Sequence, residues 1–288
     1  MALTKQQIFS NSIIAYMSEL EGGKLKKFCE TKTQKGGESV TFNRIAKSKG
    51  DGNIVSMYGT SGVANDGGDM KEIKATIKYV AEQQKVKDED IKKTGVEVTS
   101  TYVKSLSRGV MRREDKAIID AIVALTPQAS PAEGVNCNKV QIAGVTEAVD
   151  VKKIIKEIRK AQALAGETPD NHRGVALVMS PEDWAELSTS DYALKNEYAV
   201  VYGGGKTGEA DKFYGAEVVL MDDTNVGGAN HKMYVIPSNT VCFAEWEGSV
   251  RGDAVFVPTD GMTWHLQALK SIGVAIAEST AITQLTAE

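Results

Sequence analysis

The feature that most constrains this chain is a short run of strict alternation. Ile73, Ala75, Ile77 and Tyr79 alternate with Glu72, Lys74, Thr76 and Lys78, the period of a strand with one buried face. Upstream, Val40 and Phe42 alternate with polar neighbours in the same way. Between the two runs lies a stretch rich in Gly, Ser, Asn and Asp, including Asp51-Gly52, Gly59, Gly62 and Asp66-Gly67-Gly68. These residues favour turns. A connection of roughly 25 residues without a core of its own is long for a compact domain. Residues 38–84 therefore read as a two-stranded ribbon with a flexible tip. An isolated hairpin is marginal in water, so its apolar face needs cover. That cover comes either from the chain's own body or from another subunit. A projecting ribbon selects the second, and makes Val40, Phe42, Ile73, Ile77 and Tyr79 candidate inter-subunit residues.

The rest of the chain mixes helix and strand. Thr4 and Gln7 form a capping box, with Leu3 and Ile8 at the staple positions. Ile8, Phe9, Ile13, Met17 and Leu20 then share one helical face, and Gly22-Gly23 ends the helix. A long helix is expected over residues 95–126, where Val103, Leu106, Val110, Ala117, Ala121, Ile122 and Leu125 keep the three-and-four spacing. Arg112, Arg113, Glu114 and Asp115 line its polar side, Gly109 weakens it, and Pro127 and Pro131 end it. Further on, Val151, Ile154, Ile155 and Ile158 make a second helix face. Val175–Met179 is an apolar run short enough for a buried strand, and Ser180 caps a helix that begins at Pro181. Strands follow at Val140–Ile142, Ala216–Met221, Lys232–Ile236, Val241–Ala244, Ala254–Val257, Met262–Leu269 and Val274–Ala277, with turns at Gly227-Gly228 and Asp260-Gly261. No regular strand–helix–strand repeat appears, so the class is α+β.

Composition excludes several functions. No run of about 18 apolar residues exists, so no membrane helix is expected. Cys29, Cys137 and Cys242 are odd in number, far apart and free of any C-x-x-C pair, which argues against a disulfide framework or a zinc site and fits a reducing compartment. The net charge of −4 hides an asymmetry: residues 1–93 carry 15 Lys and 1 Arg against 12 Asp and Glu. A basic first third on an acidic remainder suggests one part lying on another, in the same subunit or a neighbour. It is not the basic excess of a DNA-binding domain.

Enzyme signals are weak. Gly205-Lys206-Thr207 lacks the earlier glycine of a phosphate loop, since position 200 is Val. Tyr58-Gly59-Thr60-Ser61-Gly62 is not a nucleophile elbow. His172, His231 and His265 have no metal-type partner at neighbouring helical positions. Asp222-Asp223 has no EF-hand spacing, and Arg251-Gly252-Asp253 reads as part of a strand. No catalytic residue, metal or cofactor is expected.

The order of parts resembles the major capsid proteins of tailed bacteriophages, the fold first described in phage Hong Kong 97. Lys85-Val86-Lys87-Asp88-Glu89-Asp90 resembles the stretch between that family's extended loop and spine helix. Arg113-Glu114-Asp115, followed by Ile118-Ile119 and Ile122, is similar to its spine segment. Val178-Met179-Ser180-Pro181-Glu182-Asp183-Trp184 resembles its axial-domain segment, and Phe213-Tyr214-Gly215-Ala216-Glu217-Val218 the strand after it. Val250-Arg251-Gly252-Asp253 and Ser271-Ile272-Gly273-Val274-Ala275-Ile276 resemble its C-terminal strands.

The resemblance implies an N-terminal arm over residues 1–37, an extended loop over 38–94, and a spine helix with part of a peripheral domain over 95–149. An axial domain then spans 150–249, with the return strands over 250–288. It also implies pentamers and hexamers of this chain enclosing double-stranded DNA in a virion assembled in the host cytoplasm. A separate scaffolding protein and a portal protein are further implied, with no membrane partner. Ile8, Phe9, Ile13 and Met17 would strap an adjacent subunit, and Gly203, Gly204 and Gly205 would lie near a capsomer axis. The family's Lys–Asn crosslink finds no match in the loop residues Lys71 and Asn65. Two alternatives stay open: an encapsulin-like shell holding a cargo enzyme, and an α/β enzyme with an unrecognised site.

Overall fold

The computed structural model describes residues 5–19, 23–45, 70–89, 98–129, 136–142, 150–165, 174–189, 212–228 and 230–287. Its helices are α1 (Lys5–Glu19), α2 (Val98–Val123), α3 (Val151–Ala165) and α4 (Pro181–Thr189). The strands are β1 (Glu30–Gln34), β2 (Ser39–Ile45), β3 (Met70–Thr76), β4 (Lys78–Lys87), β5 (Thr126–Gln128), β6 (Asn136–Gln141), β7 (Val175–Met179), β8 (Lys212–Phe213), β9 (Ala216–Leu220), β10 (Met233–Pro237), β11 (Val241–Trp246), β12 (Arg251–Val257), β13 (Thr263–Ile276) and β14 (Thr283–Thr286).

Two sheets make the body. In the first, β1, β11, β13 and β12 are neighbours in that order, and β4 runs antiparallel along β13 from Thr263 to Ile272. In the second the order is β5-β6-β14-β10-β7-β9-β8. A separate antiparallel pair, β2 with β3, runs from Ser39 opposite Thr76 to Ile45 opposite Met70.

The apolar runs of β7 and β10 follow from cover on both faces. Val175, Leu177, Met179, Met233 and Val235 pack with Ile154 and Ile158 of α3. The alternate residues Ala176, Val178, Tyr234 and Ile236 pack with Ile118, Ile119 and Ile122 of α2. With 26 residues, α2 is about 39 Å long. Its N-terminal half, through Val103, Leu106 and Val110, belongs to a different core, made with α1, β12 and β13. The helix therefore joins two cores, and its middle is the polar segment Arg112–Asp115.

Local signals place several boundaries where the sequence predicts them. Ser180 Oγ accepts from the Asp183 backbone N–H at 3.1 Å, capping α4. Gly261, at φ +67°, turns the β12–β13 hairpin. One expectation fails: the two tail strands read after Gly261 are the single strand β13. Lys270 and Ser271, which look like an interruption, are both buried with partners. Lys270 forms ion pairs, and Ser271 Oγ accepts from the Trp246 N–H at 2.7 Å.

Candidate assembly surfaces

The root of the ribbon rests on its own protomer. Val40, Phe42, Ile73, Ala75 and Ile77 are buried together with Cys242, Ala244 and Ala277. The strand read as continuous from Ile73 to Tyr79 bends at Ile77, whose N–H donates to the Glu38 carbonyl at 3.0 Å. Beyond the bend, β4 joins the body sheet. Gly273 of β13 makes the crossing possible: a Cβ there would lie 2.9 Å from the Thr76 carbonyl oxygen and 3.0 Å from Ile77 Cγ1.

The expectation that this apolar face lacks cover within its own chain is therefore overturned for Val40, Phe42, Ile73 and Ile77. Period-two alternation reports that one face is buried, not whose surface buries it. Tyr79 differs. It is 47% exposed and sits edge-on to Trp246 at 4.9 Å, while Trp246 Nε1 donates to the Gly37 carbonyl at 2.8 Å.

Helix α1 divides in the same way. Phe9, Ile13 and Met17 are buried against α2, β12 and β13, so they too find cover in their own chain. A Cβ on Gly252 would meet Ile13 Cδ1 at 2.8 Å, which explains the glycine of Arg251-Gly252-Asp253 by helix packing. Ile8 and Ile14 point outward. At the end of the β12–β13 hairpin, Val255, Phe256 and Met262 are also exposed, with the Phe256 ring tilted against Trp264 at 5.1 Å between centroids. Sequence periodicity did not single out this apolar tip. Gly203, Gly204 and Gly205 lie outside the described residues.

Several lysines of the basic first third pair with carboxylates of the later chain in the same protomer. Lys26 pairs with Glu245 at 3.0 Å, Lys27 with Glu217, Lys35 with Glu247 at 3.9 Å and Lys85 with Asp260 at 2.9 Å. At the polar middle of α2, Glu114 is fully buried and pairs with Lys270, which also lies 3.5 Å from Glu245. Burial pulls the Lys270 ammonium down, yet Glu114 and Glu245 together hold it above its ordinary value. Burial pushes the Asp115 carboxyl up to about 6, against two backbone N–H donors, Leu25 and Lys24, that favour the carboxylate. The reading of Glu114 as a polar-side residue is corrected by its burial: it stands between Val110 and Ile118, at four-residue spacing, inside the apolar stripe.

Catalytic arrangements are weakly represented. Ser180, Asp183 and His231 are in contact, but the carboxylate lies in the middle. Ser180 Oγ donates to Asp183 Oδ2 at 2.7 Å, and His231 Nδ1 lies 2.7 Å from Asp183 Oδ1. The hydroxyl faces a carboxylate and not an imidazole, unlike a nucleophilic triad. His265 Nε2 pairs with Asp260 at 2.9 Å, and Asp223 pairs with Lys116 at 2.8 Å. His172, Lys206 and Thr207 lie outside the described residues. Among the described residues no group of three His, Cys, Asp or Glu could hold a metal ion, and no helix is long and apolar enough to cross a membrane. The three cysteines are buried thiols outside any disulfide, and burial pushes the Cys29 thiol up to about 12, which makes it a poor nucleophile.

Comparison with known proteins identifies this arrangement. The capsid of an empty GTA particle solved with C5 symmetry is similar over 99% of this chain and 92% of its own, with TM-score 0.61 and 13% identity. The capsid of cyanophage P-SCSP1u is similar over 92% and 88%, with TM-score 0.59 and 13% identity. A virus-like particle from Pyrococcus furiosus is similar over 98% and 100%, with TM-score 0.58 and 12% identity. At these identities the likeness is one of fold. A comparison with curated proteins returns no match. The model of one family, described as phage capsid protein, matches residues 3–286. Covering nearly the whole sequence, that match makes the chain a structural capsid subunit: it belongs to the phage capsid protein family.

Proposed function

We propose that this chain assembles into pentamers and hexamers that close an icosahedral phage head around double-stranded DNA, and that it works by self-association without catalysis. The observation that carries this reading is the family match over residues 3–286, supported by the chain order of helix α1, the β2–β3 ribbon and the long helix α2. Residues 1–37 serve as the arm, 38–94 as the extended loop, 95–149 as spine and peripheral domain, 150–249 as axial domain and 250–288 as return strands. The residues that meet a neighbour are drawn from the exposed ones: Ile8 and Ile14 on the arm, Tyr79 at the ribbon root, and Val255, Phe256 and Met262 on the hairpin. Such contacts repeat by symmetry and together form obligate interfaces. With a net charge of −4 and many lysines held by carboxylates of the same chain, the protein gives packaged DNA little to bind tightly. A scaffolding protein and a portal protein complete the assembly in the host cytoplasm.

The test is the mass and content of purified particles, by light scattering and electron microscopy. Megadalton shells or discrete pentamers and hexamers are expected. A stable monomer under assembly conditions overturns the reading. Shells filled with protein in place of nucleic acid would turn it to a cargo-holding compartment.

A further inference from the structure

The segment between α1 and β1 is fixed to the body by a different kind of contact from the one that seats α1. Three successive backbone N–H groups donate to the two carboxylates in the middle of α2. Gly23 donates to Glu114 at 2.8 Å, and Lys24 and Leu25 donate to Asp115 at 3.1 and 2.9 Å. Hydrogen bonds to charged acceptors are the stronger class. Gly23 leaves no room for a side chain, since a Cβ would lie 2.4 Å from Asp115 Oδ1. Behind this contact an ion chain, Glu114–Lys270–Glu245–Lys26, ties α2 to β13, β11 and the same segment. Leu25 and Phe28 then enter the core between the sheets, and β1 continues in parallel register with β11, Glu30 opposite Cys242.

The seat of α1 is separate. Phe9, Ile13 and Met17 lie in a core with Val103, Leu106, Val110, Ala254, Leu266 and Ala268. None of these residues belongs to the core that holds Leu25 and Phe28. Opening reactions spread through shared packing, and here the packing is interrupted by a polar clamp.

We infer that residues 23–25, held by Glu114 and Asp115, are a fixed anchor that isolates α1 from the body, so that α1 can leave its seat while β1 stays paired with β11. This is a property of the single protomer and does not rest on what the protomer assembles into. The anchor sets where a moving arm stops.

Native-state hydrogen exchange read by mass spectrometry on the unassembled full chain tests it. Ile13→Asp places a carboxylate in the apolar seat and should speed exchange across residues 5–19 about a hundredfold or more. Exchange across residues 30–34 should change by less than about threefold. Ile13→Ala should give the same pattern at smaller amplitude. The double variant Glu114→Gln, Asp115→Asn should speed exchange across residues 24–34. The inference is overturned if β1 exchanges faster in step with α1, if the body melts with it, or if the double variant leaves residues 24–34 unchanged.

Discussion

Asp115 makes the unassembled protein respond to acid in an unusual direction. Its carboxyl is raised from 3.8 to about 6, chiefly by burial. Two units correspond to about 3 kcal/mol between the protonation states. Because the folded value lies above the unfolded one, the folded chain holds the proton more tightly. The stability from this group is fully present below about pH 3.8 and is lost as pH rises through about 6. Other carboxylates contribute the opposite slope, so the measurement is a difference. Asp115→Asn keeps one acceptor oxygen but turns an amide toward a backbone N–H, at a cost of about 1–3 kcal/mol that does not vary with pH. Urea unfolding of both proteins, followed from pH 7 to pH 4, should show the wild-type advantage growing by about 2 kcal/mol, mostly below pH 6.5. A difference that stays flat, or shrinks as the pH falls, refutes the assignment of a buried, acid-stabilised carboxyl at the clamp.

Further outcomes follow from packing. Phe42→Ala should lower the stability of the lone chain by about 3–5 kcal/mol in urea unfolding; a loss under about 1 kcal/mol would return the ribbon's cover to a neighbour. Lys270→Met strands the buried Glu114 and should cost about 3–5 kcal/mol, most of which Lys270→Met with Glu114→Leu should recover. A double variant as unstable as the single one would show that the pair is not the unit. Gly273→Val meets backbone and should cost about 1–3 kcal/mol. Gly36→Ala, with open space around the new Cβ, is the near-neutral control, and equal effects on melting temperature would refute the crossing.

Much of the fold is legible in the sequence where one periodicity acts alone. The stripe Val103–Val110–Ile122 yields α2, the run Val175–Met179 yields β7, and Ser180-Pro181 yields the start of α4. Legibility fails where a partner decides. β1, with the polar sequence Glu30–Gln34, is a strand because β11 pairs with it. β13 runs through Lys270 because distant carboxylates hold that lysine. Alternation identifies the ribbon's paired strands but carries no information about which body lies opposite, so the own-chain cover of Val40, Phe42, Ile73 and Ile77 is visible only in the structure. Of the exposed apolar residues, Tyr79 and Ile8 could be named from pattern, whereas Phe256 and Met262 needed the hairpin in three dimensions.

At the foot of the ribbon, the Thr76 carbonyl lies against Gly273, which interposes no side chain of its own. Side chains can change rotamer and absorb a tilt; a peptide backbone cannot. The ribbon's heading is therefore inherited from β13, and tipping it as a rigid lever must either drag that strand along or part the Thr76 carbonyl from Gly273.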